Sequence, residues 1–541
     1  MAGELLIIII TGLWLARSFK AVLFWVYLWQ LKEYHLGRFR AHFSTAKGKE
    51  LVLDRLILIK LLVIAAYVFS PLPFFYLLAA FLYSLELVKA GKDLISRKLK
   101  RPVFTQKAIF LCVSNFSVLI VVFLFAFRDF SQNSHSLDSF AYWLVLADVI
   151  LPAVVSVIIL ALQPFTVLAR NITVNKARKK LASYPKLLVI GVTGSYGKTS
   201  VKEFLAEILS AKLKVLKTKA NQNSEIGISR CILNELTPEH EIFIVEMGAY
   251  ERGVIKFVCG MVKPKIGILT GINEQHLATF GSQENIVAAK FELLESLPED
   301  GIAIVNADSE LISQGLKKNQ LRVKTIKSCS AGLNTGDLRA ENIAAGKDQI
   351  SFIAVTSSGE KQDFTVNLFG RQNIVNLLMA SQAAKELGMT LAEISQAAIK
   401  ITAEEAALKF YPGKNGIQIY DATYSANPNS VLAHLEHLSG FSGKKAIIMP
   451  SLIELGKASF SVHERIGRQI AKTCDLAIVT TKDGLEGIRR GASFNKKVDI
   501  LFLENPSEIA RIVLSRLQTN DIILLESRVA REVITLLKQP L

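Results

Sequence analysis

The sequence predicts an N-terminal α-helical transmembrane region followed by two α/β domains, and three observations carry that reading. Half of the 541 residues are hydrophobic, mean hydropathy is +0.34, and the long apolar runs are confined to the first third. Beyond about Tyr184, short β-rich runs alternate with helical stretches, the pattern of doubly wound sheets. Residues 191–200 read Gly-Val-Thr-Gly-Ser-Tyr-Gly-Lys-Thr-Ser directly after Leu187, Leu188, Val189 and Ile190, so a strand feeds a glycine-rich turn and then a helix.

The membrane region comes first in the chain. Apolar stretches fall at about 5–28, 56–70, 74–88, 108–127 and 143–168, several approaching the roughly 20 residues that cross a bilayer. Only Pro71, Leu72 and Pro73 separate the second from the third, which leaves a re-entrant hairpin open for that pair. Arg17 and Lys20 interrupt the first stretch, so it is either two pieces or a helix that turns those charges toward its neighbours. A secretion signal fits poorly, since Glu4 and no basic residue precede the run and further spans follow.

Charge gives the orientation. The chain carries a formal +17, and residues 1–180 hold 22 Lys/Arg against 9 Asp/Glu. The basicity therefore belongs to the membrane part rather than to a nucleic-acid surface, and no nucleic-acid partner is expected. It concentrates in 32–55, 89–107 and 170–180, which the positive-inside tendency places in the cytoplasm. The result is an outside N-terminus, five crossings and a cytoplasmic C-terminal two thirds. The five cysteines form no Cys-x-x-Cys pair and no metal spacing with histidine, as reduced cytosolic thiols would.

In the remainder, strands are predicted at 187–193, 242–247, 266–270, 302–306 and 364–368, with a helix over 373–387. A second series follows at 417–421, 445–449, 476–480, 500–503 and 522–526. Residues 404–416 contain Pro412, Gly413 and Gly416 and read as a linker. The division is thus 1–182 membrane region, 183–403 nucleotide-binding domain and 404–541 second α/β domain.

The chemistry starts at the glycine turn. Backbone N–H groups of Gly194, Ser195, Tyr196 and Gly197, with the positive end of the helix that follows, cradle phosphate oxygens. Lys198 reaches the β- and γ-phosphates, the Thr199 hydroxyl holds Mg²⁺, and Ser200 closes the motif. Val192 stands where a longer loop would carry a glycine, so this is the shorter Gly-x-x-Gly-Lys-Thr form. The chain handles ATP or a close relative. Glu246 ends a buried strand, where a carboxylate beside a phosphate loop holds a nucleotide's Mg²⁺ or positions its water.

The order of motifs is more specific than any one of them. Thr-Gly-Ser-x-Gly-Lys-Thr is followed by Glu246-Met-Gly-Ala, Asn273-x-x-His276-Leu, Phe280-Gly-Ser, Ala289-Lys290 and Val305-Asn306-Ala-Asp. Asn221-Gln-Asn223-Ser-Glu-Ile-Gly227, Gly370-Arg371-Gln-Asn373-Ile-Val-Asn376 and Asp421-Ala-Thr-Tyr424-Ser-Ala-Asn427-Pro428 also match. So do Leu452-Ile-Glu454-Leu-Gly456 with His463, and Ser527-Arg528. In this series, over about residues 185–541, the chain resembles the Mur ligase family, and within it the branch that adds D-alanyl-D-alanine.

That resemblance implies a P-loop central domain and a Rossmann-like C-terminal domain performing ATP-dependent amide ligation in peptidoglycan synthesis at the bacterial inner membrane. The γ-phosphate passes to a carboxylate of a muramoyl-peptide substrate, nucleotide- or lipid-linked, and an amine attacks the acyl phosphate. By resemblance Thr199 and Glu246 hold one Mg²⁺ and His276 a second, and Lys290 falls where relatives often carry a carbamylated lysine. Asn306 meets the adenine and Asp421 the nucleotide, while Arg371, Asn373, Tyr424, Asn427 and Arg528 belong to the amine side. Membrane helices occupy the place of the family's N-terminal sugar-nucleotide domain. Ala422 replaces the second acid of an Asp-Asp pair, Met449-Pro-Ser replaces Gly-Asp-Met, and Leu525-Glu526 replaces Lys-Gly. A membrane-anchored ligase of another polymer, such as poly-γ-glutamate, and a nucleotide-driven transporter or sensor are the alternatives.

Overall fold

The computed structural model describes residues 2–52, 54–69, 74–95, 99–132, 136–219, 222–333, 335–346, 349–402, 409–424, 427–495 and 497–538. Two compact units divide it, Met1–Ala169 and Arg170–Leu541.

Helices occupy all five apolar stretches of the first unit. Three segments, Leu5–Leu31, Gln106–Gln132 and Leu137–Ala182, are long and apolar enough to cross a membrane. Helix Arg55–Phe69 has only 15 residues, and Phe75–Ile95 carries Glu86, Lys89, Lys92 and Asp93 in its second half. On length and composition, then, three of the five expected spans qualify among the described residues. Pro71 to Pro73 lie outside them. The first helix runs unbroken from Ala2 to Leu31, so the two-piece reading of that stretch is set aside.

Its charges turn inward. Arg17 pairs with Glu86 at 3.0 Å and with Asp148 at 3.2 Å, and Lys20 pairs with Asp93 at 2.8 Å. Lys60, 1% exposed, bonds Glu86 at 2.7 Å and also Asp148. Apolar side chains such as Ile8, Leu62, Phe69, Val121 and Val157 face outward. Charge inside and hydrocarbon outside inverts the soluble pattern and suits lipid. Replacing Lys60 by Met leaves two buried carboxylates with one cation fewer, a loss of the order of 3–5 kcal/mol. Thermal unfolding of the detergent-solubilised full chain is expected to show it as a lowered midpoint.

The second unit holds two sheets. The strands of the first are β1 Leu188–Thr193, β2 Val215–Lys217, β3 Ile242–Glu246, β4 Ile266–Leu269, β5 Ile302–Asn306, β6 Thr325–Ser330, β7 Leu338–Ala345, β8 Ile350–Thr356 and β9 Lys361–Val366. They lie in the order β2-β3-β1-β4-β5-β6-β7-β8-β9, parallel through β7 and antiparallel at the last two pairings. Strand β1 is buried on both faces, as a parallel strand covered by helices must be. Ile190 and Val192 face the helices Lys198–Leu209 and Gln372–Glu386, while Val189 faces Val254–Val262 and Gln283–Glu295. The chain goes from β1 to β2 and back to β3 on one side, then crosses to β4 on the other, so β1 ends at a topological switch point, where such sheets open a ligand crevice.

The second sheet comprises β10 Lys409–Pro412, β11 Gln418–Ala422, β12 Lys445–Met449, β13 Leu476–Val479, β14 Asp499–Phe502 and β15 Ile522–Glu526, in the order β10-β11-β15-β12-β13-β14. Part of the expected 404–416 linker is therefore strand. Lys409–Pro412 pairs antiparallel with β11, and its backbone bonds outweigh the proline signal because Pro412 closes an edge strand. The 403/404 junction lies outside the described residues. All five cysteines are buried free thiols.

Candidate active site

The turn after β1 is built for close backbone approach. Gly194 and Gly197 have φ of 154° and 78°. A Cβ on Gly194 would sit 2.1 Å from Thr270 Oγ1, and one on Gly197 2.6 Å from Asn376 Oδ1. Ser195 N donates to Gly271 O at 2.6 Å, and the Thr270 hydroxyl donates to Tyr196 O. The turn is thus pinned to β4 before any ligand arrives. Val192 needs no glycine's freedom: it is still in β1, registered against Glu246. Helix Lys198–Leu209 starts at Gly197 and directs its positive end into the turn. The Ser195 hydroxyl is buried without a protein partner among the described residues.

Glu246 ends β3 beside this helix. Thr199 Oγ1 donates to its Oε2 at 3.1 Å, Asn223 Nδ2 donates to its Oε1 at 3.2 Å, and Lys202 Nζ lies 3.3 Å from Oε2. A hydroxyl and a carboxylate side by side form the hard oxygen pair that holds a divalent cation next to phosphate. The sequence assigns no role to Lys202 or Asn223, although Lys202 is one turn beyond Lys198 and that spacing places it on the same helix flank. Lys198 Nζ lies 3.3 Å from Ser195 O, and burial pulls its ammonium down, opposed by Glu246.

His276 and Lys290 sit on the same cleft. His276 Nδ1 meets Glu454 Oε2 at 2.6 Å, and the Tyr250 ring stands edge-on to the imidazole at 4.7 Å. Burial lowers its proton affinity; Glu454 opposes that, while Lys290 and Lys198 add to it. A carboxylate on one ring nitrogen fixes the tautomer and frees the other for a ligand. Glu454 was legible only as part of Leu-Ile-Glu-Leu-Gly. Its side chain comes from the second sheet's half of the unit, and Ala278 N donates to its carbonyl at 2.9 Å. Lys290, 3% exposed, is pushed down to about 7, first by burial and then by Lys198.

These groups share one cleft of about 1180 Å³, lined by every sequence-derived candidate except Asp421. Asn306 lines it with its amide already engaged, donating to Thr270 O at 2.8 Å and accepting from Asp308 N at 2.9 Å. Asn373 donates to Phe369 O at 2.9 Å, and Asn427 caps helix Pro428–Ser439 by accepting from Ser430 N at 3.0 Å. Tyr424, Arg371 and Arg528 also line the wall. Asp421 lies behind it, accepting from Thr423 N and Oγ1 and from Tyr411 OH, so it shapes the Thr423 turn rather than reaching the cleft. Asn221 lies outside the described residues. The cleft is bridged by Asn273 Nδ2 to Asn429 Oδ1 at 2.9 Å and by Arg465 to Glu274 at 3.3 Å.

Comparison with known proteins agrees with this geometry. Residues 192–384 match the Mur ligase middle domain, and residues 408–528 match the glutamate ligase domain of Mur ligases. UDP-N-acetylmuramoyl-tripeptide–D-alanyl-D-alanine ligases of Synechocystis and Escherichia coli are each 32% identical over 287 residues, 52% of this chain and 59% and 61% of theirs. The chain thus spans about three fifths of the length of these relatives. A crystal structure of MurF from Acinetobacter baumannii superposes with a TM-score of 0.59 at 27% identity, covering 66% of this chain and 78% of that one. The MurF ligase from Thermotoga maritima in complex with ADP gives 0.59 at 25% identity, covering 68% and 83%. With a phosphate-cradling turn, a Thr–Glu oxygen pair and a second α/β half closing one cleft, in the order those domains prescribe, the chain belongs to the Mur ligase family.

Proposed function

We infer that the protein is an ATP-dependent, ADP-forming ligase that joins an amine to a muramoyl-peptide carboxylate, D-alanyl-D-alanine being the amine its relatives' names point to. The supporting observation is the Lys198, Thr199 and Glu246 constellation at the end of β1 and β3, facing a cleft whose other wall carries Arg528. Backbone N–H groups of 194–197 and the helix end bind the triphosphate. Lys198 balances the charge that develops as the terminal phosphoryl passes to the carboxylate.

The donor set fits Mg²⁺: Thr199 and Glu246 offer hard oxygens that leave room for phosphate and water. His276, oriented by Glu454, offers a nitrogen, a donor this cation favours less. When bound, the metal neutralises phosphate charge. Arg371 and Arg528, on the cleft wall, hold carboxylates by their planar forks.

Lys290 suits carbamylation by CO₂, in which its neutral nitrogen bonds carbon and one proton is released. Its proton affinity is depressed in the fold, so the folded lysine is neutral above about pH 7 while the unfolded chain stays protonated to its ordinary range near 10.5. Stability gains with pH across that window, and the burial cost stands in full below it. Labelling by ¹³C-bicarbonate is expected to appear above pH 7 and fade below it, and to vanish in K290R. A label that ignores pH, or persists in K290R, refutes the assignment.

The bundle of residues 1–169 anchors the enzyme in a bacterial inner membrane, with the division 1–182, 183–403 and 404–541 and the catalytic domains in the cytoplasm. The test uses membranes containing the full chain, ATP, UDP-linked muramoyl tripeptide and D-alanyl-D-alanine. ADP and a pentapeptide product are expected. Turnover only with another acid–amine pair moves the reading to a different peptide polymer, and turnover tied to solute movement moves it to a transporter.

A further inference from the structure

The amine side of the cleft contains a buried histidine–glutamate hydrogen-bonded pair that the reaction outlined above leaves unused. His434, on helix Pro428–Ser439, is 3% exposed and Glu526, the last residue of β15, is fully buried. His434 Nδ1 meets Glu526 Oε2 at 2.7 Å. The other carboxylate oxygen accepts from Ser527 N at 3.1 Å and faces Ser527 Oγ at 3.4 Å. The Tyr420 ring packs edge-on to the imidazole with centroids 5.7 Å apart, fixing its plane.

These bonds decide the tautomer. Backbone N–H of Ser527 can only donate, so Glu526 is an acceptor on that side, and the same carboxylate takes a proton donor from His434. With its hydrogen on Nδ1, the neutral imidazole carries its lone pair on Nε2. Nε2 has no protein partner among the described residues and is not sealed from solvent. His434 lines the cleft, whereas Glu526 does not. The ring thus offers the cleft a fixed hydrogen-bond acceptor. Two residues past Glu526, Arg528 lines the same wall and offers a carboxylate a planar fork.

We propose that His434 binds the N–H of the incoming amine and that Glu526 is its positioning residue. The proposal rests on the ligase reading and adds to it the group that selects the second substrate.

The experiment measures ADP release by the full-length protein over a panel of amines, D-alanyl-D-alanine and single amino acids, with ATP and muramoyl tripeptide saturating. In E526Q the amide carbonyl must stay on Ser527 N–H, which turns the NH₂ toward His434 and moves the imidazole hydrogen to Nε2. KM for the amine is expected to rise about tenfold or more, with KM for ATP changed less than about twofold. H434A is expected to do the same. Because it strands a buried carboxylate, the double variant H434A/E526A is included, and ADP binding by calorimetry verifies folding. Unchanged amine KM in folded E526Q and H434A/E526A, with an active wild type, overturns this inference alone. No ADP from the wild type with any amine overturns the ligase reading and this one with it.

Discussion

Replacing Lys198 by Ala is expected to lower ADP formation on the order of 10³-fold, about 4 kcal/mol of transition-state stabilisation. Lys198 begins the helix whose positive end faces the phosphate turn, and its side chain lines the cleft beside Ser195 O. No backbone donor can take its place, because those N–H groups are fixed by the turn. Alanine is a better helix former than lysine, and the Gly194 and Gly197 geometry does not depend on the side chain, so folding is expected to persist. The readout is initial-rate ADP release together with ADP binding. A rate within about tenfold of wild type would place phosphoryl transfer elsewhere. A linked effect follows at Lys290, whose proton affinity Lys198 lowers: removing that charge raises it, and bicarbonate labelling moves to higher pH.

Glu246→Gln is expected to cost about 10²–10³-fold and to raise the Mg²⁺ concentration for half-maximal rate at least about tenfold. The carboxylate accepts from Thr199 and Asn223 at once, and Gln would set an NH₂ against one of them. Lys202, fully buried, keeps only Glu203 at 3.0 Å as a charged partner among the described residues, so a lower melting midpoint is expected as well. The two readouts separate the roles. Excess Mg²⁺ recovers part of the rate if Glu246 serves the cation, and recovers none if its service is to Lys202 alone.

Much of this site could be read along the chain because its parts are local. A strand, a glycine turn and Lys-Thr are contiguous, and the turn's backbone geometry is dictated by residues 194 and 197 themselves. Strands β1, β3, β4 and β5 were equally readable, being short apolar runs buried on both faces, whereas three-residue β2 and half-exposed β6 offered no such run and were not anticipated. The antiparallel extension β7–β9 was only partly anticipated, since β9 mixes Lys361, Gln362 and Asp363 with Phe364 and one face meets solvent. The 404–416 segment misled because Pro and Gly mark edges as well as linkers.

Other features had no contiguous signal. Glu454 reaches His276 over a separation of 178 residues, and Glu526 reaches His434 over 92. Asp421 occupies the expected place in its motif, yet the turn folds Thr423 onto it and withdraws it from the cleft. In the N-terminal bundle, the charges at 17, 60, 86 and 148 look like interruptions until their helices are packed together and they neutralise one another.

Residue order alone determined where the glycine turn and its Lys-Thr pair lie, the strands β1, β3 and β4 around them and how charge divides between the bundle and the α/β half, since backbone conformation and hydrophobic period act over a few residues. Which side chain faces which across the cleft was decided only by tertiary packing. A hydrogen bond needs its partners within about 3 Å, and that proximity depends on the whole fold.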